Sequence, residues 1–195
     1  MQGLGKDYKA AEAVQGGEFK RLPAGGYICK IVDVEDCPQG FDKKNPTRGN
    51  YLWVVYDIAD GEYKGFYSDD WGKEHPYAHR YVRSYSEKAL GMFKGFLQAI
   101  DESNNTDFVK AAEKGFNEKE LVGKLIGLVI GYEEYVASDG EIKERAYVNA
   151  NRSVSTIKSG DFKVPELKKV KDPVAPTNTA PVDGFAPLND DDIPF

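Results

Sequence analysis

Cysteine, histidine and tryptophan are scarce: the 195 residues hold two of each, with Cys29 and Cys37 both in the first third. Two cysteines exclude a disulfide framework, and no apolar leader precedes them, so a reducing cytosol with two free thiols is expected. No apolar run approaches the roughly 20 residues that span a bilayer, which excludes a membrane segment. Gly127 and Gly131 copy a membrane helix-pairing spacing, but their apolar run is short and soon meets Glu133 and Glu134. It reads as a buried strand. Pro76 separates His75 from His79, and the Cys29–Cys37 interval is too wide for a zinc knuckle, so no metal or other cofactor is expected. Asp69 and Asp70 are neighbours that a strand would send to opposite faces, with no third carboxylate obviously placed beside them. No phosphate-cradling glycine loop and no serine–histidine arrangement stands out. An enzyme is not expected.

What the sequence does have is aromatic residues, 12% of the total with tyrosine leading, and an uneven distribution of charge. The formal net charge is −6. Lys171–Phe195 holds one lysine against five aspartates, a balance of −4, which leaves −2 on residues 1–170. A nearly neutral body suits a protein that grips an anionic polymer along one local stripe.

From Val170 the chain repeats prolines and small residues without a helical or strand period, and 170–188 reads as an extended, disordered linker. Residues 189–195, Asn-Asp-Asp-Asp-Ile-Pro-Phe, follow it. Three adjacent carboxylates cannot be buried cheaply, so Ile193 and Phe195 are left in water with nothing near to cover them. The tip Asp190, Asp191, Asp192, Ile193, Pro194, Phe195 resembles the C-terminal peptide of bacterial and phage single-stranded DNA-binding proteins. The resemblance implies that the Phe195 side chain fills a pocket on a partner, that its carboxylate meets a basic residue, and that the aspartates face a basic rim. Replication, recombination and repair enzymes are then the expected docking partners.

The body, residues 21–169, follows a loose N-terminal arm over 1–20 with a short helix near Tyr8–Val14. Strands are predicted at Gly26–Asp36, at Tyr51–Ile58 and at Tyr63–Ser68, the last as a hairpin partner across Asp60-Gly61. In the second, Leu52, Val54, Tyr56 and Ile58 share one face and Tyr51, Trp53, Val55 and Asp57 the other. Asp69–Tyr85 is irregular, with Trp71 and Tyr77 as its anchors. Ser86 caps a helix whose Leu90, Phe93, Phe96, Leu97 and Ile100 recur at helical spacing. A weaker helix covers Thr106–Lys114. Strands Leu121–Tyr135 and Ile142–Arg152 flank a turn at Ser138-Asp139-Gly140, and an amphipathic piece, Val154–Leu167, packs on the edge. Three strands, a helix and two strands make a mainly β protein, a β-barrel with a helix insertion. That is the order of the OB-fold, a five-stranded Greek-key barrel with its helix between strands 3 and 4. Gly127 and Gly131 would be corner residues of such a barrel.

Single strands are held by cations that track phosphates and by aromatic faces that stack on bases. In the last strand Lys143, Arg145 and Tyr147 share a face with Asn149 and Asn151. Tyr51 and Trp53 form the outward set of the second strand. The loop bearing Lys43, Lys44 and Arg48, and the segment bearing Arg80, Tyr81 and Arg83, would flank the groove. The expected function is sequence-independent coating of single-stranded DNA in replication, recombination and repair, in a phage-encoded setting and with a possible homo-oligomer. Two alternatives are a recombination mediator or strand-annealing accessory, and an adaptor that uses the tip without binding DNA.

Overall fold

A computed structural model describes residues 21–39 and 49–170. The N-terminal arm, the loop carrying Lys43, Lys44 and Arg48, the linker and the tip all lie outside the described residues.

Strand β1, Gly25–Cys37, pairs antiparallel with β2, Tyr51–Ile58, which pairs with β3, Arg80–Ser84. On its other side β1 pairs with β4, Leu125–Val136, which pairs with β5, Ile142–Arg152. The sheet order is β3-β2-β1-β4-β5, antiparallel at every step, with β3 and β5 at its two edges. Those edges nevertheless meet. Arg83 Nη2 on β3 donates to Asn151 Oδ1 on β5 at 2.9 Å, so the sheet curls until side chains bridge its ends. It is a mainly β architecture whose helix α2, Leu90–Asn104, follows the third strand.

The alternation in β2 is strict: Leu52, Val54, Tyr56 and Ile58 are at most 3% exposed, and the residues between them are half-buried. With Cys29, Ile31 and Val34 of β1, Ile126, Leu128 and Ile130 of β4, and Phe96, Leu97 and Ile100 of α2, they form one core. Asn104 fixes α2 to the sheet by donating to Leu125 O and accepting from Leu125 N–H. Cys29 and Cys37 are buried and unpaired.

The third strand is not where its sequence pattern placed it. Tyr63–Ser68 forms successive turns, with Phe66 N–H donating to Tyr63 O and Ser68 N–H to Gly65 O, and Gly65 at φ 72. Tyr63, Phe66 and Tyr67 pack inward together, whereas a strand would send neighbours 66 and 67 to opposite faces. The Asp57 carboxylate anchors this turn by accepting the Tyr67 N–H at 2.9 Å. Arg80–Ser84 supplies the third strand instead, so the number and order of elements survive the displacement. A short helix α1, Asp70–Glu74, precedes it. Tyr77 is 63% exposed and meets His75 edge to face at 5.5 Å between ring centroids, while Tyr63, Phe66, Tyr67 and His79 pack inward.

The other boundaries shift for local reasons. A turn of 3-10 helix, Glu87–Ala89, stands between Ser86 and α2; Ser86 makes no cap, and Leu90 is 53% exposed. Helix α3 is one turn, Phe108–Ala111, and Asp101 accepts the N–H groups of Phe108 and Val109 at its start. Helix α4, Val154–Ser159, ends at Gly160, and residues 160–170 run on as an extended strap along β4. Both β4 glycines answer to this covering. A Cβ on Gly127 would sit 2.4 Å from Ile157 of α4, and one on Gly131 would sit 2.5 Å from Pro165 of the strap.

His79 is 5% exposed, stacks on Tyr67 at 4.5 Å between ring centroids, and its Nδ1 has no hydrogen-bond partner. Burial lowers its pKa against an opposing pull from Asp57. With the folded value below the unfolded value of about 6.5, its contribution to stability is complete above that pH and is lost as the pH falls through the folded value. Acidifying from about pH 7 to about pH 5.5 is therefore expected to lower Tm more in the native protein than in His79→Gln, as calorimetry at each pH would read.

Candidate nucleic-acid interface

Because β2 alternates, Tyr51 and Trp53 leave the sheet on the side away from the core, and Val55 follows them on the same face. Trp53 meets Tyr51 edge to face, with ring centroids 5.7 Å apart. Arg80 of β3 lies diagonally across from Trp53 and places its guanidinium 4.0 Å from the indole centroid. Val82, opposite Trp53 in register, is 37% exposed. Two half-buried aromatic rings, an exposed cation and an exposed valine thus share one outer face. Asn50, just before β2, accepts the Gln39 N–H at 3.1 Å and sets the base of the basic loop beside Tyr51. The β1 residues on this side are acidic: Glu35 stands opposite Trp53, and Asp33, opposite Val55, is paired with Lys119 at 2.9 Å.

Tyr81 and Arg83 are elsewhere. Tyr81 faces inward at 8% exposed, and burial pushes its phenol pKa up. Its ring is packed in the core, so it drops out of the surface available to a base. Arg83 lies over the Tyr81 ring at 4.4 Å and reaches Asn151, so it bridges the two sheet edges. Burial lowers its pKa, its Nε has no partner, and among the described residues no carboxylate pairs with it. The sequence pattern put all of Arg80, Tyr81 and Arg83 on one flanking segment. Strand alternation separates them: Arg80 points out, Tyr81 and Arg83 point in.

The β4–β5 ribbon carries the second group. β1 pairs with β4 only as far as Ile130, so beyond it β4 and β5 continue as a two-stranded ribbon along which residues 141–146 are exposed. Lys143, Arg145 and Tyr147 share its outer face as the alternation predicts. A register shift between Val129 and Ile130 leaves Asn149 without an opposite residue and turns Asn151 inward toward Arg83. Lys143 is paired with Asp139 and, at 3.6 Å, with Glu141. Arg145 donates to Glu133 at 2.7 Å and lies 5.3 Å from the Tyr135 ring centroid. Exposed pairs of this kind contribute about 0–1 kcal/mol, so a phosphate can compete for either cation.

No family model matches this chain, and no curated protein matches it.

Sequence reasoning missed Lys168, whose ammonium lies 3.9 Å from the Tyr147 ring centroid. It also missed Tyr135 as the ring beside Arg145. Neither has a local signature, because both depend on register and on where the strap crosses β4. Among the described residues no group of three or more histidines, cysteines or carboxylates could hold a metal, and no helix is long and apolar enough to cross a membrane.

Proposed function

We propose that the chain binds single-stranded DNA without regard to sequence and brings replication, recombination and repair enzymes to it through residues 189–195. The observation that carries the DNA half is the outward Tyr51–Trp53 pair with Arg80 over the indole. Stacking on such rings tolerates any base, and the neighbouring cation offers a phosphate contact. The sheet order, the helix after β3 and the side-chain bridge between β3 and β5 favour an OB-fold barrel, in which the face of strands 2 and 3 is the binding surface. The β3 and β5 edges run in the same direction, and Arg83 ties them together. On this reading the outer face of Lys143, Arg145 and Tyr147 continues the Arg80 face across the seam as one path. The tip half rests on the match of Asp190 to Phe195 with the partner-docking peptide of single-stranded DNA-binding proteins.

Titration with poly-dT at two salt concentrations, on the full chain and on a chain cut after Val170, tests both halves. If about four phosphates are touched, a fourfold rise in salt is expected to weaken binding by about fiftyfold. The cut chain is expected to bind more tightly at low salt, because an acidic tip competes with DNA for the basic path, and the difference is expected to shrink as salt rises. Equal affinities at low salt would refute that competition. The acidic β1 residues Asp33 and Glu35 on this face favour the adaptor as a second reading, in which the tip acts without DNA. Absence of any oligonucleotide binding at low salt would select it.

A further inference from the structure

The strap over residues 160–170 occupies the outer face that Tyr147 would need. Between Phe162 and Val170 its hold on the body is Pro165, so close to Gly131 that a Cβ there would sit 2.5 Å away, and a few hydrogen bonds. Lys168 N–H donates to Tyr132 O at 3.1 Å and Glu134 N–H donates to Lys168 O at 2.8 Å, a single bridge of parallel pairing on the stretch of β4 that β1 leaves open. Val170 N–H reaches the Glu134 carboxylate at 3.0 Å. Val164 and Leu167 are 42% and 37% exposed. The firm anchor lies upstream, where Phe162 packs so closely on Gly26 that a Cβ there would sit 2.3 Å away.

Under the strap, Tyr147 is held between two neighbours. Its Cε1 and Cζ lie against Gly131, where a Cβ would come within 3.2 Å of each, and the Lys168 ammonium covers the ring 3.9 Å from its centroid. Its hydroxyl is buried without a hydrogen-bond partner. A base stacks at van der Waals distance from a ring, which is the space that Lys168 fills, so base and ammonium exclude one another. Both contacts draw on the same π face, and a base–aromatic stack is the stronger of the two at an exposed site, so a base can displace the ammonium.

Building on the DNA-binding reading, we infer that the face of Tyr147 is a covered stacking site, opened when a nucleobase displaces Lys168 and peels the strap from β4 as far back as Phe162. The chain runs from the strap straight into the proline-rich linker. Occupation of this site therefore frees the root of the linker, and a chain on DNA presents its tip from further away than a chain off DNA.

Hydrogen exchange of the full chain, with and without a dT oligonucleotide, reads the displacement, while anisotropy of the labelled oligonucleotide reports binding on the same sample. The Glu134 and Lys168 amides are expected to lose protection when DNA binds, while amides of the β1–β2 ladder keep theirs. Lys168→Ala is expected to bind about threefold more tightly at physiological salt, with an unchanged salt slope, because the cover is weakened and no phosphate contact is lost. Bound oligonucleotide with full protection at Glu134 and Lys168 would overturn the covered site and leave the DNA-binding reading standing. Equal or weaker binding by Lys168→Ala would also overturn it, a weaker one with a shallower salt slope marking Lys168 as a phosphate ligand. No binding by the native chain would overturn both.

Discussion

Replacing Trp53 by alanine is expected to weaken binding to poly-dT by about five- to 150-fold, since one base–aromatic stack contributes about 1–3 kcal/mol. The ring stands on the outer face of β2, met edge to face by Tyr51 and covered on one face by Arg80. Removing it deletes a surface without opening the core. The lost cation–π contact, about 0.5–1 kcal/mol, limits the fall in Tm to about 4 °C for a body of this size. Anisotropy of a labelled oligonucleotide and calorimetry measure the two effects separately. A large loss of affinity with a large loss of stability would place Trp53 in the framework of the sheet, not on a binding face.

Phe96→Ala is expected to have the opposite signature. Phe96 is fully buried in α2, against the inner faces of the sheet, and its truncation leaves a cavity that the surrounding strands cannot close. The expected cost is about 3–5 kcal/mol, a large part of the about 5–15 kcal/mol that holds a typical domain together. Denaturant unfolding of the variant should show a sharply lowered midpoint. At temperatures where it remains folded, its DNA affinity should be close to native. Loss of binding in a fully folded Phe96→Ala would mean that α2 takes part in recognition.

The two substitutions separate what the sequence made legible from what it hid. In β2, every second residue is apolar and buried, so the pattern fixed the strand, its inner face and the outward position of Trp53 without help from the rest of the chain. The α2 repeat was legible for the same reason, through the spacing of Phe93, Phe96, Leu97 and Ile100. Tyr63–Ser68 misled because aromatic residues favour strands in general, while these three pack on one side of a turn pinned by Asp57, a tertiary contact with no local mark. Tyr81 and Arg83 misled in a related way. A five-residue strand inside a stretch that reads as irregular gives alternation too little length to declare which residues face in. Tyr147 and Arg145 were placed on the correct face by alternation, but the cover over Tyr147 comes from a segment twenty residues downstream and could be found only in three dimensions.

One chemical contrast runs through the candidate interface. The exposed cations that would meet phosphates are engaged in the free chain: Arg80 on Trp53, Arg145 on Glu133 and Tyr135, and Lys143 on Asp139 and Glu141. Each partner is surface-exposed or half-buried and the contacts are weak, so none of them locks its cation in place. Arg83 differs, being half-buried and tied to Asn151, and it bridges the two edges of the sheet.

Ultraviolet cross-linking of the full chain to oligo-dT, followed by mass spectrometry of the adducts, tests the claimed DNA path most directly. Adducts are expected on the peptide spanning Tyr51 and Trp53 and on the peptide holding Tyr147, with none on the buried ring of Tyr81. Binding with adducts confined to other surfaces, or no adduct and no binding at low salt, would contradict it.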